Sequence, residues 1–121
     1  MKTTASPEAR LSLLRALRLL EVFRSLDQDL PMGEAVSFLM IATGETLEGG
    51  LSVTELSQRG KFGLSSASRY VQSLGAVNRH RKPGHELVID PVDPMERRRK
   101  ILKVSPQGQH IITAIHAAIG E

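Results

Sequence analysis

The amino-acid sequence predicts a mainly α fold with a small β hairpin, an α+β arrangement within one domain spanning residues 1–121. Apolar residues recur at helical spacing through most of the chain. A capped pair of short helices stands in its middle, and alternating runs separated by Pro- and Gly-containing turns follow that pair. Chain length allows a single modest core. With Phe23, Phe38, Phe62 and Tyr70 as the aromatics and no Trp, that core falls to Leu, Ile, Val and Ala, which suits packed helices.

Each element has its own local reason. Ser6-Pro7-Glu8 reads as an N-cap, a proline at the first helical position and an acid in the first turn. Leu13, Leu17 and Leu20, with Leu14, Val22 and Phe23 beside them, then repeat at helical spacing as far as Asp27. Arg10, Arg15, Arg18 and Arg24 fall on the outer face of that helix. Pro31 opens a second helix with Val36, Leu39 and Met40 apolar. Gly44 is expected to end it, leaving residues 45–50 as a loop. Ser52-x-x-Glu55 is a capping box, and Leu51 with Leu56 forms the matching hydrophobic staple. A short helix therefore runs from Val53 to Arg59 and stops at Gly60. Ser65 is expected to cap the next helix, which reaches Leu74 or Gly75. Two short helices joined by a Gly-containing turn make a helix-turn-helix over residues 51–75.

Residues 76–104 read as the hairpin. Val77 to Arg79 is a short strand, Lys82-Pro83-Gly84 a turn, and Glu86 to Asp90 a second strand. Pro91 and Pro94 bracket another turn before a third strand from Arg99 to Val104. Ser105-Pro106 then caps a last helix, with Ile111, Ile115, Ala118 and Ile119 on one stripe and Ile112 beside it.

Charge is unevenly spread. Residues 1–58 carry five cations and eight anions, whereas residues 59–103 carry eleven cations and four anions. A basic block in an otherwise acidic chain is the electrostatic footprint of a nucleic-acid face. Anionic lipid is the competing polyanion, but no basic amphipathic helix is present to lie on a membrane. No apolar stretch approaches the roughly 18 residues of a membrane span, and the start lacks the features of a signal peptide, so a cytoplasmic protein is expected. The absence of cysteine excludes disulfides and thiolate metal sites. Acids are scattered, and neither a nucleophile motif nor a phosphate-cradling glycine loop occurs. A protein without catalytic activity or cofactor is expected. His80, His85 and Glu86 lack further ligands at suitable spacing and read as hairpin surface, with no metal. His110 and His116 do not share a helix face, which leaves them exposed or packed in a dimer.

The second helix of the pair has a core stripe of Leu64, Ala67, Val71 and Leu74. Its opposite face carries Ser65, Arg69, Gln72 and Ser73, with Ser66 and Tyr70 at one flank. Short hydroxyls allow close approach to a major groove, Arg suits guanine and Gln suits adenine. Ser65, Ser66, Ser68, Arg69, Tyr70, Gln72 and Ser73 are the candidate DNA-contacting residues of this helix. Thr54, Arg59 and Lys61 are candidate phosphate contacts beside it. Arg79, Arg81, Lys82, Arg97, Arg98, Arg99 and Lys100 are the candidates on the hairpin.

The stretch DPMERRRKILKVSPQG (93–108) resembles the wing of MarR-family winged-helix regulators. That wing reads Asp-Pro, two polar residues, Arg-Arg, a β-strand, Leu-Thr-x-x-Gly and a helix. Asp93, Pro94, Arg97, Arg98, Lys100 and Gly108 fall on this pattern, with Val104-Ser105 where Leu-Thr usually stands. LSVTELSQR (51–59) is similar to the first helix of the family's motif, GLSSASRYV (63–71) to the start of its recognition helix, and GAVNR (75–79) to the beginning of its first wing strand. Together these pieces cover residues 51–110.

The resemblance implies a winged helix-turn-helix with N- and C-terminal dimerisation helices at 1–30 and 106–121. It implies a recognition helix in the major groove of double-stranded DNA. Carried over by position, Arg97 and Arg98 are the wing arginines of the adjacent minor groove. Successive strand residues point to opposite faces, so the two cannot share one task. The turn Gly60–Gly63 is longer than the family's, the second helix is shorter, and residues 80–92 extend the wing. Some family members bind small phenolic effectors between the dimer helices and the DNA-binding lobe. Few aromatics line such a pocket here, and a small-molecule effector is left unproven. The expected function is sequence-specific DNA binding by a homodimeric transcriptional regulator. The alternative is a winged-helix adaptor that organises a nucleoprotein complex, such as a plasmid- or phage-type replication, segregation or packaging factor.

Overall fold

Capping chemistry sets most element boundaries. The computed structural model describes residues 6–75, 84–89 and 101–120, the side chains of 46–48 excepted. Among these residues the order is α1 (Pro7–Leu26), α2 (Met32–Glu48), α3 (Val53–Gly60), α4 (Leu64–Leu74), β1 (Val88–Ile89), β2 (Lys103–Val104) and α5 (Pro106–Ile119). They fall into two compact units. One comprises the chain up to Leu30 together with Ile111 onward, and the other comprises Pro31–His110.

In the terminal unit, the Ser6 hydroxyl accepts a hydrogen bond from the Ala9 amide at 3.1 Å and Pro7 opens the helix, so α1 starts where its sequence predicts. Asp27, in an extended conformation, ends it. Phe23 is buried. The leucine repeat forms the expected helix but is not absorbed into a core: Leu13 is 64% exposed, Leu17 52%, and Leu11, Leu14 and Leu20 are exposed as well. In α5, Ile111, Ile112, Ile115, Ala118 and Ile119 are half-buried while Thr113, Ala114, His116 and Ala117 are exposed, which is the predicted stripe.

The central unit is built on α2, which packs against α3, α4 and β2. Phe38 and Ile41 of α2 are buried together with Leu51, Leu56, Leu74, Leu87 and Leu102. Each such side chain contributes about 1.5–3 kcal/mol by leaving water. The expected stop at Gly44 is corrected: α2 continues to Glu48. Gly44 instead makes room for a neighbour, since a Cβ there would stand 2.7 Å from Leu51 Cγ. The helix ends at Gly49, whose φ of 76° is left-handed and whose amide bonds the Gly44 carbonyl.

The capping box of α3 is complete. Ser52 Oγ accepts from the Glu55 amide at 3.2 Å, and Glu55 Oε1 accepts from the Ser52 amide at 3.1 Å. Both staple residues, Leu51 and Leu56, are buried. Leu51 also forms a β-bridge with Leu102, whose amide donates to the Leu51 carbonyl at 2.8 Å. β1 and β2 pair antiparallel, with Val88 opposite Val104 and Ile89 opposite Lys103. They lie inside the longer strands expected at 86–90 and 99–104. The expected strand at 77–79, the Lys82-Pro83 part of the first turn and the turn at 91–94 lie outside the described residues.

At the start of α5, Ser105 Oγ accepts from the Gly108 amide at 2.9 Å and donates to the Glu86 carbonyl. A Cβ on Gly108 would run into the Leu87 carbonyl, so glycine allows the first turn of α5 to lie against the chain leading into β1. No described helix is long and apolar enough to cross a membrane.

Candidate nucleic-acid interface

The turn between α3 and α4 is anchored through Ser57 and Phe62. Ser57 Oγ donates to the Phe62 carbonyl at 2.8 Å, and the Phe62 amide donates back to the Ser57 carbonyl at 3.1 Å. Lys61 takes a left-handed conformation at φ 56°. The Phe62 ring folds over Gly60 and meets Tyr70 edge-on, with ring centroids 5.3 Å apart at 75°. Phe62 carries this turn and had no role in the sequence reading.

With the chain already reversed at Phe62, the helix begins sooner than expected. Gly63, not Ser65, is the N-cap; it is extended (φ −64°, ψ 151°), and its carbonyl accepts from the Ala67 amide at 2.9 Å. No side chain caps α4. Its first amides therefore begin at the exposed residues Gly63, Leu64 and Ser65, the arrangement that favours anions at helix N-termini.

Ala67, Val71 and Leu74 are buried as the core stripe of α4. Leu64, expected in the same stripe, is 57% exposed, because the stripe meets its neighbours only from Ala67 onward. Ser65, Arg69 and Gln72 are exposed, and Ser66, Ser68 and Ser73 half-buried. Arg69 Nη2 donates to Ser66 Oγ at 3.2 Å, which lays the guanidinium along one flank. Tyr70 is half-buried, with its ring over Gly33 of α2 and against Phe62. Its ring packs α4 onto α2 and onto the turn that precedes it. Thr54, Arg59 and Lys61 are exposed.

The far end of α4 is held by a clasp that is not evident in the sequence. The carbonyls of Ser73, Leu74 and Gly75 accept from the amides of His85, Leu87 and Glu86 at 2.9, 2.8 and 3.0 Å. These are carbonyls that a helix end would otherwise leave unpaired. His85 Nδ1 lies 3.1 Å from the Ser73 carbonyl and 3.3 Å from Glu34 Oε2. The Glu34 carboxylate is itself buried. His85 is thus a tie between α2, α4 and the chain leading into β1, which corrects its reading as hairpin surface; His80 lies outside the described residues. Glu45 Oε2 accepts from the Val104 amide at 2.8 Å and ties α2 to β2 in the same way.

The sequence that carries α4 is cationic. Between Glu55 and Glu86 the sequence has six Lys and Arg residues and no acid, and the Glu55 carboxylate is engaged in the capping box. Arg79, Arg81, Lys82, Arg97, Arg98, Arg99 and Lys100 lie outside the described residues, and Lys103 at the base of the wing is exposed. Among the described residues no three His, Asp or Glu side chains gather closely enough to hold a metal ion. His110 and His116 are exposed.

No family model matches the chain, and no curated protein sequence matches it. Solved structures do. The selenomethionine derivative of a MepR point mutant from a multidrug-resistant S. aureus clinical isolate is 18% identical, with 98% of this chain and 77% of that one covered and a TM-score of 0.60. Wild-type apo MarR from E. coli is 15% identical, with 98% and 80% covered and a TM-score of 0.55. A MepR point mutant from S. aureus bound to an oligodeoxyribonucleotide is 17% identical, with 88% and 73% covered and a TM-score of 0.56.

The chain has the MarR-type winged-helix fold. Within the MarR fold, α3 and α4 are the helix-turn-helix, and β1 with β2 forms the base of the wing. The resemblance drawn from residues 51–110 therefore extends to nearly the whole chain at the level of fold.

Proposed function

We propose that this chain is a homodimeric regulator that binds duplex DNA, with α4 in the major groove and the wing cations on the flanking backbone and minor groove. The observation that carries this reading is the state of α4. Its N-terminus is bare and exposed, its outer face is short and hydrogen-bonding, and it stands in a cationic stretch without carboxylates.

Arg69 matches the paired acceptors of guanine and Gln72 the donor–acceptor edge of adenine. Ser65, Ser66, Ser68 and Ser73, with Thr54, Arg59 and Lys61, supply phosphate contacts that fix the register. Arg79, Arg81, Lys82, Arg99 and Lys100 add phosphate neutralisation from the wing, and Arg97 or Arg98 fits a narrow, electronegative minor groove. The S. aureus MepR mutant bound to an oligodeoxyribonucleotide is a protein of this fold engaged with DNA.

The exposed leucines of α1 support the dimer. Leu13, Leu17 and Leu20 share one side of the helix, and a row of this size in water is a surface for a second copy. Two-fold symmetry then calls for half-sites roughly one helical turn, about 34 Å, apart.

Selection from a randomised duplex library followed by gel shift tests the reading. A single pseudo-palindromic motif supports it. Cooperative coverage of any duplex would favour a nucleoprotein-organising role, and absence of duplex binding would reject both.

A further inference from the structure

Resting on the reading that α4 enters a major groove, we propose that Leu64 reads a thymine through its C5 methyl group. Leu64 is the first residue of α4 and is 57% exposed. Among the described residues of the central unit, Met32, Leu64 and Ile89 are the exposed large apolar side chains. Of these, Leu64 belongs to the helix that carries Ser65, Arg69 and Gln72.

Gly63 beside it is equally unexplained by the fold. Its φ of −64° is open to any residue, and a Cβ there would meet nothing within 4 Å. A serine or aspartate would cap the helix better. Both residues make sense once a large partner lies against this end of α4: the glycine leaves clearance for close approach, and the leucine is covered.

Charge points to the partner. Arg59, Lys61 and Arg69 are the exposed cations of α3, the turn and α4, and the sequence between Glu55 and Glu86 holds no acid, which suits a polyanion. The apolar group that a duplex presents in its major groove is the thymine methyl. Leucine has neither donor nor acceptor, so it distinguishes thymine from cytosine through that methyl alone. Arg69 and Gln72, further along the helix, are left to read hydrogen-bonding edges.

The test uses the tightest duplex recovered by selection and replaces each thymine in turn with deoxyuridine, which removes only the methyl group. For the wild-type chain, one thymine per half-site should lose about fourfold in affinity on replacement, the effect of one buried methyl. Leu64→Ala should bind the thymine duplex more weakly by a similar factor and be indifferent to deoxyuridine at that position. Leu64→Ile should keep the sensitivity. Thermal melting of each variant separates a loss of contact from a loss of fold. The proposal is overturned if no thymine methyl matters, or if Leu64→Ala remains as sensitive as wild type at the same position. A preferred duplex without such coupling removes only the role of Leu64, whereas failure to select any duplex removes the DNA-regulator reading and this inference with it.

Discussion

Two glycines show opposite relations between a residue and its setting. At Gly44, alanine would ordinarily stabilise a helix interior by about 1 kcal/mol. Here the added methyl meets Leu51, which is buried and bridged to Leu102, and such overpacking costs about 1–3 kcal/mol. Gly44→Ala is therefore expected to lower unfolding free energy in urea by ~1 kcal/mol net, and a gain would show that Leu51 is free to move. The sequence presents Gly44 as a helix stop because a glycine needed for clearance looks the same as one needed for a turn. At Gly63 the space is open. Gly63→Asp should raise stability by a few tenths of a kcal/mol through capping while weakening DNA binding ~10-fold, because the carboxylate occupies the amides and repels phosphate. Parallel denaturation and gel-shift measurements check the opposite signs.

Elements whose determinants lie within one turn were legible, and those joined across the chain were not. The Ser6 cap, the Ser52–Glu55 box and the Ser105 cap each act over three residues, so their helices start where the sequence predicts. The polar face of α4 followed from helical periodicity, which places Ser65, Arg69 and Gln72 on its exposed side. Periodicity says nothing about where a stripe begins to meet its neighbours, so Leu64 was misplaced. The packing of Tyr70 has no local signature, because its site, Gly33, belongs to another helix. The clasp on the end of α4 joins residues 73–75 to 85–87 and Glu34 to His85, and no local pattern encodes it. Its strength can be measured. His85→Ala removes the imidazole whose Nδ1 stands 3.1 Å from the Ser73 carbonyl and 3.3 Å from the buried Glu34 Oε2. It should destabilise the chain by about 1–3 kcal/mol. An unchanged urea midpoint would show that the backbone bonds alone hold α4.

For the whole molecule, charge and exposed apolar surface are the two features on which the proposed dimer on a polyanion rests. Leu17→Glu places a carboxylate in the exposed row of α1. It should shift sedimentation toward the monomer and weaken binding to a two-half-site duplex more than to a single half-site. An unaltered sedimentation profile would remove α1 from the interface. Lys61→Ala should weaken all duplexes alike and reduce the slope of log affinity against log salt by about 0.9, the release of one phosphate's counterions. The most direct test of the central claim, that the outer face of α4 reads base edges, compares binding-site selection by wild-type protein and by Arg69→Ala. Arg69→Ala is expected to relax preference at one base position per half-site, a loss of about 1–3 kcal/mol in discrimination, with the rest of the motif retained. An identical motif for both proteins would contradict it.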